Sequence, residues 1–111
     1  MNIQHKELAA GKWNTLSFME QMANIGSEVE RTINWRNKNN PEYSRLAFER
    51  ALELLDLTVA DQKNILRLKE VLRVREVLAD CFSFENIYLS TDSQWKSYFL
   101  SFNYAARINC N

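Results

Sequence analysis

The sequence predicts an all-α protein, an antiparallel four-helix bundle with helices at about 14–36, 41–59, 62–83 and 92–108. The 111 residues contain two glycines and one proline, whereas strand-rich folds need many turns built from these residues. Apolar residues recur at helical spacing in four segments, and residues that favour helix ends flank them. The short linkers favour antiparallel neighbours. The alternative is a three-helix core whose last helix is swapped onto a partner.

The first helix begins either at Asn14 or at Ser17, which forms a capping-box pattern with Glu20. The apolar positions that recur along one face are Met19, Met22, Ala23, Gly26, Val29 and Ile33. Gly26 lies within this face, and its missing side chain would allow a neighbouring helix to approach closely.

Clear start signals precede the other three helices. Asn40 is a good N-cap, and Pro41 suits the first helical position. Asp61 can cap the third helix, and Thr91 with Gln94 forms a second capping box. The predicted core positions are Phe48, Ala51, Leu52, Leu55 and Val59, then Ile65, Leu68, Leu72, Leu78, Ala79 and Phe82, and finally Trp95, Tyr98, Phe99, Phe102 and Ala106.

The amino-acid composition argues against several classes of function. Fourteen acidic and fourteen basic residues cancel, whereas tight nucleic-acid binders usually carry a basic excess, so charge does not indicate RNA binding.

We expect residues 1–12 to form a flexible tail, without the apolar run of a secretion signal, before a single helical domain at 13–111. No segment approaches the roughly 20 apolar residues that span a bilayer. Cys81 and Cys110 lack metal-site spacing and are expected to stay reduced, which predicts a cytoplasmic protein with no membrane association.

Two charged residues fall on predicted core faces. Glu30 lies within the apolar arc of the first helix, and Arg75 lies within that of the third. Because burying one unpaired charge is strongly unfavourable, we predict that Glu30 and Arg75 form a buried ion pair. Such a pair commonly fixes helix register. The alternative is a polar pocket in which Glu30 or Glu49 binds a ligand or moves a proton.

The last helix is apolar over most of its circumference, because Leu100 and Tyr104 lie away from its main face. In so short a chain, we expect another copy to cover this second face. The alternative cover is the loop near Phe84 and Tyr88 or the N-terminal tail. The predicted homodimer contact comprises Trp95, Tyr98, Phe99, Leu100, Phe102 and Tyr104.

Most enzymatic chemistries lack their residues in this sequence. The only histidine is His5, so a nucleophilic triad and a Cys-His pair are both missing. Zinc clusters, the Glu-x-x-His motifs of di-iron bundles and a glycine-rich phosphate loop are missing as well. We therefore predict no catalytic residue, no metal site and no cofactor.

Carboxylates on the second helix are the one set that suggests a ligand. Glu49, Glu53 and Asp56 share a face, and the Glu53-x-x-Asp56 spacing resembles the magnesium-binding pattern of MazG-type helical nucleotide pyrophosphatases. The companion acidic pair on the preceding helix is not matched, because Glu28 and Glu30 point to different faces. The alternative is a solvated face that pairs with Arg45 and Arg50.

Three stretches carry a wider resemblance: residues 24–31, 49–58 and 75–78. They resemble a family of small uncharacterised prokaryotic helical proteins over nearly the whole chain. The size and helix pattern are also similar to HEPN-type bundles, which dimerise and often cut or bind RNA. HEPN nucleases use an arginine followed a few residues later by histidine, and this pair is missing here. A HEPN-like fold would therefore lack the usual nuclease site, and a fold alone does not define a function.

Three functional hypotheses follow. The first is a non-enzymatic, self-associating helical module that binds another macromolecule. The second is a binder or hydrolase of a metal or nucleotide that uses Glu30, Glu49, Glu53 and Asp56, with Arg75 as the anion partner and magnesium as the metal. The third is a HEPN-like RNA-associated protein or one component of a toxin–antitoxin pair.

Overall fold

The computed structural model describes residues 11–108, and all regular secondary structure in this part of the chain is helical. Residues 11–13 are helical, and a 3-10 helix at Gln62–Arg67 leads into the third long helix. The four long helices are α1 (Phe18–Asn37), α2 (Pro41–Ala60), α3 (Leu68–Ser83) and α4 (Asp92–Ile108). The all-α prediction is therefore confirmed. Residues 1–10 of the predicted tail, and Cys110, lie outside the described residues.

Side-chain caps begin the helices where the sequence predicts them. The Ser17 hydroxyl accepts a hydrogen bond from the Glu20 backbone N–H at 3.1 Å, and the Glu20 carboxylate accepts one from the Ser17 N–H at 2.9 Å. Asn40 caps α2 through its side-chain oxygen. Thr91 and Gln94 form the second capping box, with bonds of 2.9 and 3.2 Å. Of the two predicted starts of α1, the structure selects Ser17.

The predicted third helix is divided in two. Asp61 accepts the backbone N–H of Lys63 at 3.2 Å and begins the 3-10 helix, whereas α3 begins at Leu68 without a capping side chain. Three residues per turn, in place of 3.6, change which side chains face the core. Ile65 and Leu66 are therefore exposed, and the prediction that Ile65 belongs to the core is wrong.

The long helices make antiparallel contacts with their neighbours. α1 packs against both α2 and α4, and α3 packs against α2. Between α1 and α2, the Ser44 hydroxyl donates to the backbone carbonyl of Thr32 at 2.8 Å. Between α2 and α3, the rings of Phe48 and Phe82 have centroids 5.9 Å apart. None of the helices in residues 11–108 combines the length and hydrophobicity needed to cross a membrane.

The buried faces of α1 and α3 are rotated from the predicted ones. Gln21 and Thr32 are fully buried on α1, where their side chains form hydrogen bonds, while Ala23 is only partly buried. On α3, Val71 is buried and Leu72 is 47% exposed. The hydrophobic core contains Trp13, Met22, Ile25, Val29, Ile33, Phe48, Ala51, Leu55, Leu57, Val71, Val74, Leu78, Trp95, Phe99 and Phe102. Apolar periodicity thus identified the helices correctly but misplaced the inward face of two of them.

Candidate interaction site

A groove with a volume of about 550 Å³ runs between α1 and α4. At its centre, a Cβ atom on Gly26 would lie 2.7 Å from the Cβ of Phe99, so only glycine permits this approach of the two helices. At its end, an Arg36 Nη2 atom lies 2.5 Å from both carboxylate oxygens of Asp92. These contacts fix the antiparallel register of α1 and α4. They also confirm the prediction that Gly26 allows a close helix approach.

The α1 wall of the groove includes three small residues, Ala23, Gly26 and Ser27. Ala23, Gly26, Ser27 and Glu30 lie at positions i, i+3, i+4 and i+7, the four positions that surround a hole on a helix surface. The Ser27 hydroxyl donates to the Ala23 backbone carbonyl at 3.3 Å, so this hydroxyl needs no partner from outside its helix. Glu30 borders the hole at one end. We call Ala23, Gly26, Ser27 and Glu30 the α1 hole.

The α4 wall carries a cation and the start of an exposed apolar row. Lys96 and Leu100 both line the groove. From Leu100 the row continues at four-residue spacing along one face of α4, and its members Leu100, Tyr104 and Ile108 are 65%, 67% and 53% exposed. Isolated exposed apolar residues are common on protein surfaces, but an aligned row beside a groove is typical of an interaction surface.

The six residues predicted to form a homodimer contact differ in how far the structure buries them. Trp95, Phe99 and Phe102 are buried in the core of their own chain, so they are not available to a partner, and this part of the prediction is wrong. Tyr98 is half-buried and donates its hydroxyl hydrogen to Glu70 at 2.7 Å. Leu100 and Tyr104 are exposed. The loop near Phe84 and Tyr88 therefore does not cover them, and a cover by a second copy stays a prediction.

Glu30 and Lys96 provide the charges of the groove that are left without an ion-pair partner, because Arg36 binds the third charged lining residue, Asp92. Both side chains are exposed, and they lie on opposite walls, Glu30 on α1 and Lys96 on α4. The ion pairs found among residues 11–108 involve neither of them. The groove therefore presents one negative and one positive group that other charged groups can approach.

The predicted ion pair between Glu30 and Arg75 is wrong. Arg75 Nε donates to an Asp56 carboxylate oxygen at 2.7 Å, and these two side chains are 38% and 51% exposed. Glu30 is exposed in the groove instead. The physical reason is that α3 packs against α2, so Arg75 reaches a residue of α2 rather than α1. A pair this exposed contributes less than about 1 kcal/mol to stability.

The carboxylates Glu49, Glu53 and Asp56 do not assemble into a metal site. Arg45 binds Glu49 at 3.2 Å, and Arg75 binds Asp56. Within residues 11–108, no group of three or more histidine, cysteine, aspartate or glutamate residues is placed to hold a metal ion. The alternative of a solvated face paired with Arg45 and Arg50 is thus matched for Glu49, which Arg45 binds, whereas Asp56 pairs with Arg75 of α3 instead.

A buried polar cluster, which the sequence analysis did not identify, joins α1 to the α2–α3 junction. The side-chain N–H groups of Gln21 donate to the Trp13 backbone carbonyl at 3.0 Å and to Asp61 at 2.8 Å. The Gln21 oxygen accepts from Asn64 at 2.8 Å, and the Trp13 indole donates to the Thr58 hydroxyl at 3.0 Å. Of these residues, only Asp61 carried a sequence signal, as a helix cap. Because these groups satisfy one another, the cluster is a structural device that anchors Trp13.

Asp61 is the charged member of the polar cluster. Burial alone would raise the pKa of its carboxyl group, but hydrogen bonds from Lys63 and Gln21 outweigh burial and hold the pKa below its ordinary value. The Lys63 ammonium also donates to the Asn14 backbone carbonyl at 3.2 Å. Asp61 and Lys63 together therefore fix the chain segment that precedes α1.

Asp80 organises the loop between α3 and α4. Its carboxylate accepts the backbone N–H of Ile87 at 2.9 Å and that of the following residue at 3.1 Å. Asn86 and Leu89 both have φ of 54°, in the left-handed region that bulky side chains rarely adopt. Phe84, Ile87 and Leu89 are exposed on this loop. An ordered loop that presents apolar side chains is a second surface suited to a protein contact.

No family model matches this chain, and no curated protein or solved structure matches it. The resemblance to small prokaryotic helical proteins, and that to HEPN-type bundles, therefore stay predictions.

Proposed function

We propose that the chain is a non-enzymatic interaction module that forms a homodimer through the groove between α1 and α4. The observation that carries this proposal is the exposed row Leu100, Tyr104 and Ile108 beside the small side chains of the α1 hole. Burying apolar surface of this kind is the main driving force of protein association. A second copy supplies both a row to fill the groove and a groove to receive the row, as a two-fold contact requires.

The proposal includes an architecture and a location. We propose that the four long helices form an antiparallel bundle, supported by the pairwise antiparallel contacts and by the Tyr98–Glu70 hydrogen bond between α4 and α3.

We also propose a cytoplasmic location. It is supported by Cys81, which is partly buried and forms no disulfide within residues 11–108.

We further propose that the dimer binds another protein through the loop between α3 and α4. The support is the exposure of Phe84, Ile87 and Leu89 on a backbone that Asp80 holds in place. A preorganised loop loses less conformational entropy on binding than a flexible one. This partner contact and the dimer contact use different residues, so the two can be tested separately.

The geometry gives less support to the other two hypotheses. A carboxylate-based hydrolase is disfavoured because arginines bind Glu49 and Asp56. A HEPN-like RNA-associated role gains little from α3 and the 3-10 helix before it, because glutamates of α3 bind Arg67 and Arg73. These pairs alternate in sign along the helix, unlike the continuous basic surface that phosphate binding favours.

Light scattering of the full chain tests self-association. We expect the wild type to be a dimer and Leu100→Glu to be a monomer, because a carboxylate at residue 100 would be desolvated in the contact. Leu66→Glu is the matched control, since Leu66 is 95% exposed on the 3-10 helix, away from the groove, and this variant should remain a dimer. Circular dichroism verifies that all three proteins are folded. A monomeric wild type, or equal dissociation of both variants, would contradict the proposal.

A further inference from the structure

We infer that two protomers pair about a two-fold axis that runs along the groove, so that Leu100 of each enters the α1 hole of its partner and Lys96 of each binds Glu30 of its partner. This inference rests on the proposed self-association and specifies its register and its charge contacts. The observations behind it are the antiparallel register of α1 and α4, the spacing of the α1 hole, and the position of the two charges.

The register of the two helices places Glu30 and Lys96 at the same level of the groove. Gly26 lies opposite Phe99, and Arg36 binds Asp92 further along. Counting along antiparallel helices between these two contacts puts Glu30 level with Lys96 on the opposite wall. Rotation about an axis along the groove then brings the α1 wall of one protomer onto the α4 wall of its partner at that level.

A two-fold axis in the plane of contact can run along the groove or across it. The charges of the groove favour the axis along it. An axis across the groove at this level would place α1 on α1 and α4 on α4. Glu30 would then face Glu30, and Lys96 would face Lys96, which is unfavourable. An axis along the groove makes two contacts between opposite charges instead. Both side chains are exposed, and neither forms an ion pair within residues 11–108, so both are available for these contacts.

The position of Leu100 fits the same register. Leu100 lies four residues beyond Lys96, which is about 6 Å along the helix axis. Because the helices are antiparallel, this displacement moves from the level of Glu30 back towards Gly26. Leu100 therefore reaches the level of the α1 hole, where Ala23 and Ser27 line the groove beside the contact between Gly26 and Phe99. One alignment thus satisfies both the charge contacts and the packing.

Charge reversal followed by sedimentation equilibrium tests the inference. Glu30→Lys and Lys96→Glu should each weaken the homodimer by about tenfold or more in Kd, because each creates two contacts between like charges. The two variants mixed together should form a heterodimer in which both contacts join opposite charges, with Kd within about threefold of the wild type. Glu85→Lys, an equal charge change in the exposed loop, is the matched control and should leave Kd unchanged.

The possible outcomes separate the inference from the proposed function. If the wild type dimerises and Leu100→Glu dissociates, but the two reversed variants fail to associate on mixing, the inference is overturned while self-association stands. If Glu30 and Lys96 pair within one chain, each reversal lowers Tm without changing Kd, and this too overturns the inference. A wild type that is monomeric at all concentrations overturns both. Recovery of association on mixing supports the inference, because an intramolecular pair cannot produce it.

Discussion

Gln21 is fully buried although it is polar, and its partners explain why. Its amide donates to the Trp13 carbonyl and to Asp61, and it accepts from Asn64. A buried amide without these bonds would be costly, whereas a satisfied amide is tolerated and adds directional contacts. The same reasoning applies to Thr58, which accepts from the Trp13 indole and donates to a carbonyl of its own helix. Burial at these positions follows from hydrogen-bond partners, not from hydrophobicity.

The ionisation of Asp61 should make stability depend on pH. The pKa of Asp61 in the folded chain is below the ordinary value. The ionised carboxylate therefore stabilises the fold fully above the unfolded pKa of roughly 3.9, and this stabilisation is lost as the pH falls through the folded pKa. We expect Asp61→Asn to lower the free energy of unfolding at neutral pH by about 1–3 kcal/mol. We also expect its stability to decline less steeply than that of the wild type as the solution is acidified.

Urea unfolding at several pH values between neutral and about 3 measures this difference. Glu85→Gln is the control, because it removes one carboxylate from the exposed loop without touching the polar cluster. It should retain the steep decline of the wild type. Parallel stability curves for the wild type and Asp61→Asn would show that Asp61 does not stabilise the fold through its charge.

At the scale of the helices, Gly26 determines how closely α1 and α4 approach. Alanine at this position would improve helix propensity by about 1 kcal/mol. Its Cβ, however, would lie 2.7 Å from the Cβ of Phe99 and 2.9 Å from its Cγ, so the helices would have to separate. We expect Gly26→Ala to destabilise the fold by about 1–3 kcal/mol, as overpacked core substitutions do. Chemical denaturation measures the change.

Ser27→Ala serves as the control for Gly26→Ala. It alters the adjacent position of α1, but the Ser27 hydroxyl bonds only within its own helix. Its stability should therefore stay close to that of the wild type. If Gly26→Ala were more stable than the wild type, helix propensity would outweigh the contact with Phe99, and the two helices would have to be more adaptable than the packing indicates.

Local signals explain why the sequence predicted the helix positions well. A cap involves residues only a few positions apart, so Ser17 with Glu20, and Thr91 with Gln94, are recognisable without knowledge of the fold. Which helix packs against which is not local. Arg75 binds Asp56 because α3 packs against α2, and no periodicity within α3 contains that information.

The inward face of α1 was misplaced for a related reason. Gln21 and Thr32 face the core because residues distant in sequence, or the backbone, satisfy them. A prediction based on hydrophobicity alone assigns such polar residues to the solvent-facing side of the helix. It therefore rotated the predicted face towards Ala23 and Glu30, which line the groove. The predicted core face was in part the candidate interaction face.

At the scale of the whole molecule, self-association links stability to concentration. If only the folded chain dimerises, mass action stabilises it further as protein concentration rises. We expect Tm of the wild type to increase with concentration and Tm of Leu100→Glu to stay constant. Differential scanning calorimetry over a wide concentration range measures both. A wild-type Tm independent of concentration would contradict dimerisation of the folded chain.

The sequence identified part of the candidate site. The all-round apolar character of α4 led to Leu100 and Tyr104, which are exposed beside the groove. It did not separate them from Trp95 and Phe99, because all are large and apolar and only the packing of α4 against α1 decides which side is covered. The groove itself depends on the approach of α1 to α4, so a single sequence does not reveal its depth or its charges.

The positions of the indole rings give this chain a built-in optical signal. Trp13 and Trp95 are buried at opposite ends of the sequence, one held by Thr58 and the other stacked on Phe99. Indole fluorescence shifts to longer wavelength when water reaches the ring, so unfolding shifts the emission of these two buried rings, whereas the third tryptophan, Trp35, is already partly exposed. Because Trp13 sits where the segment before α1 joins the rest of the protein, part of this shift reports whether that segment is docked, without any added dye.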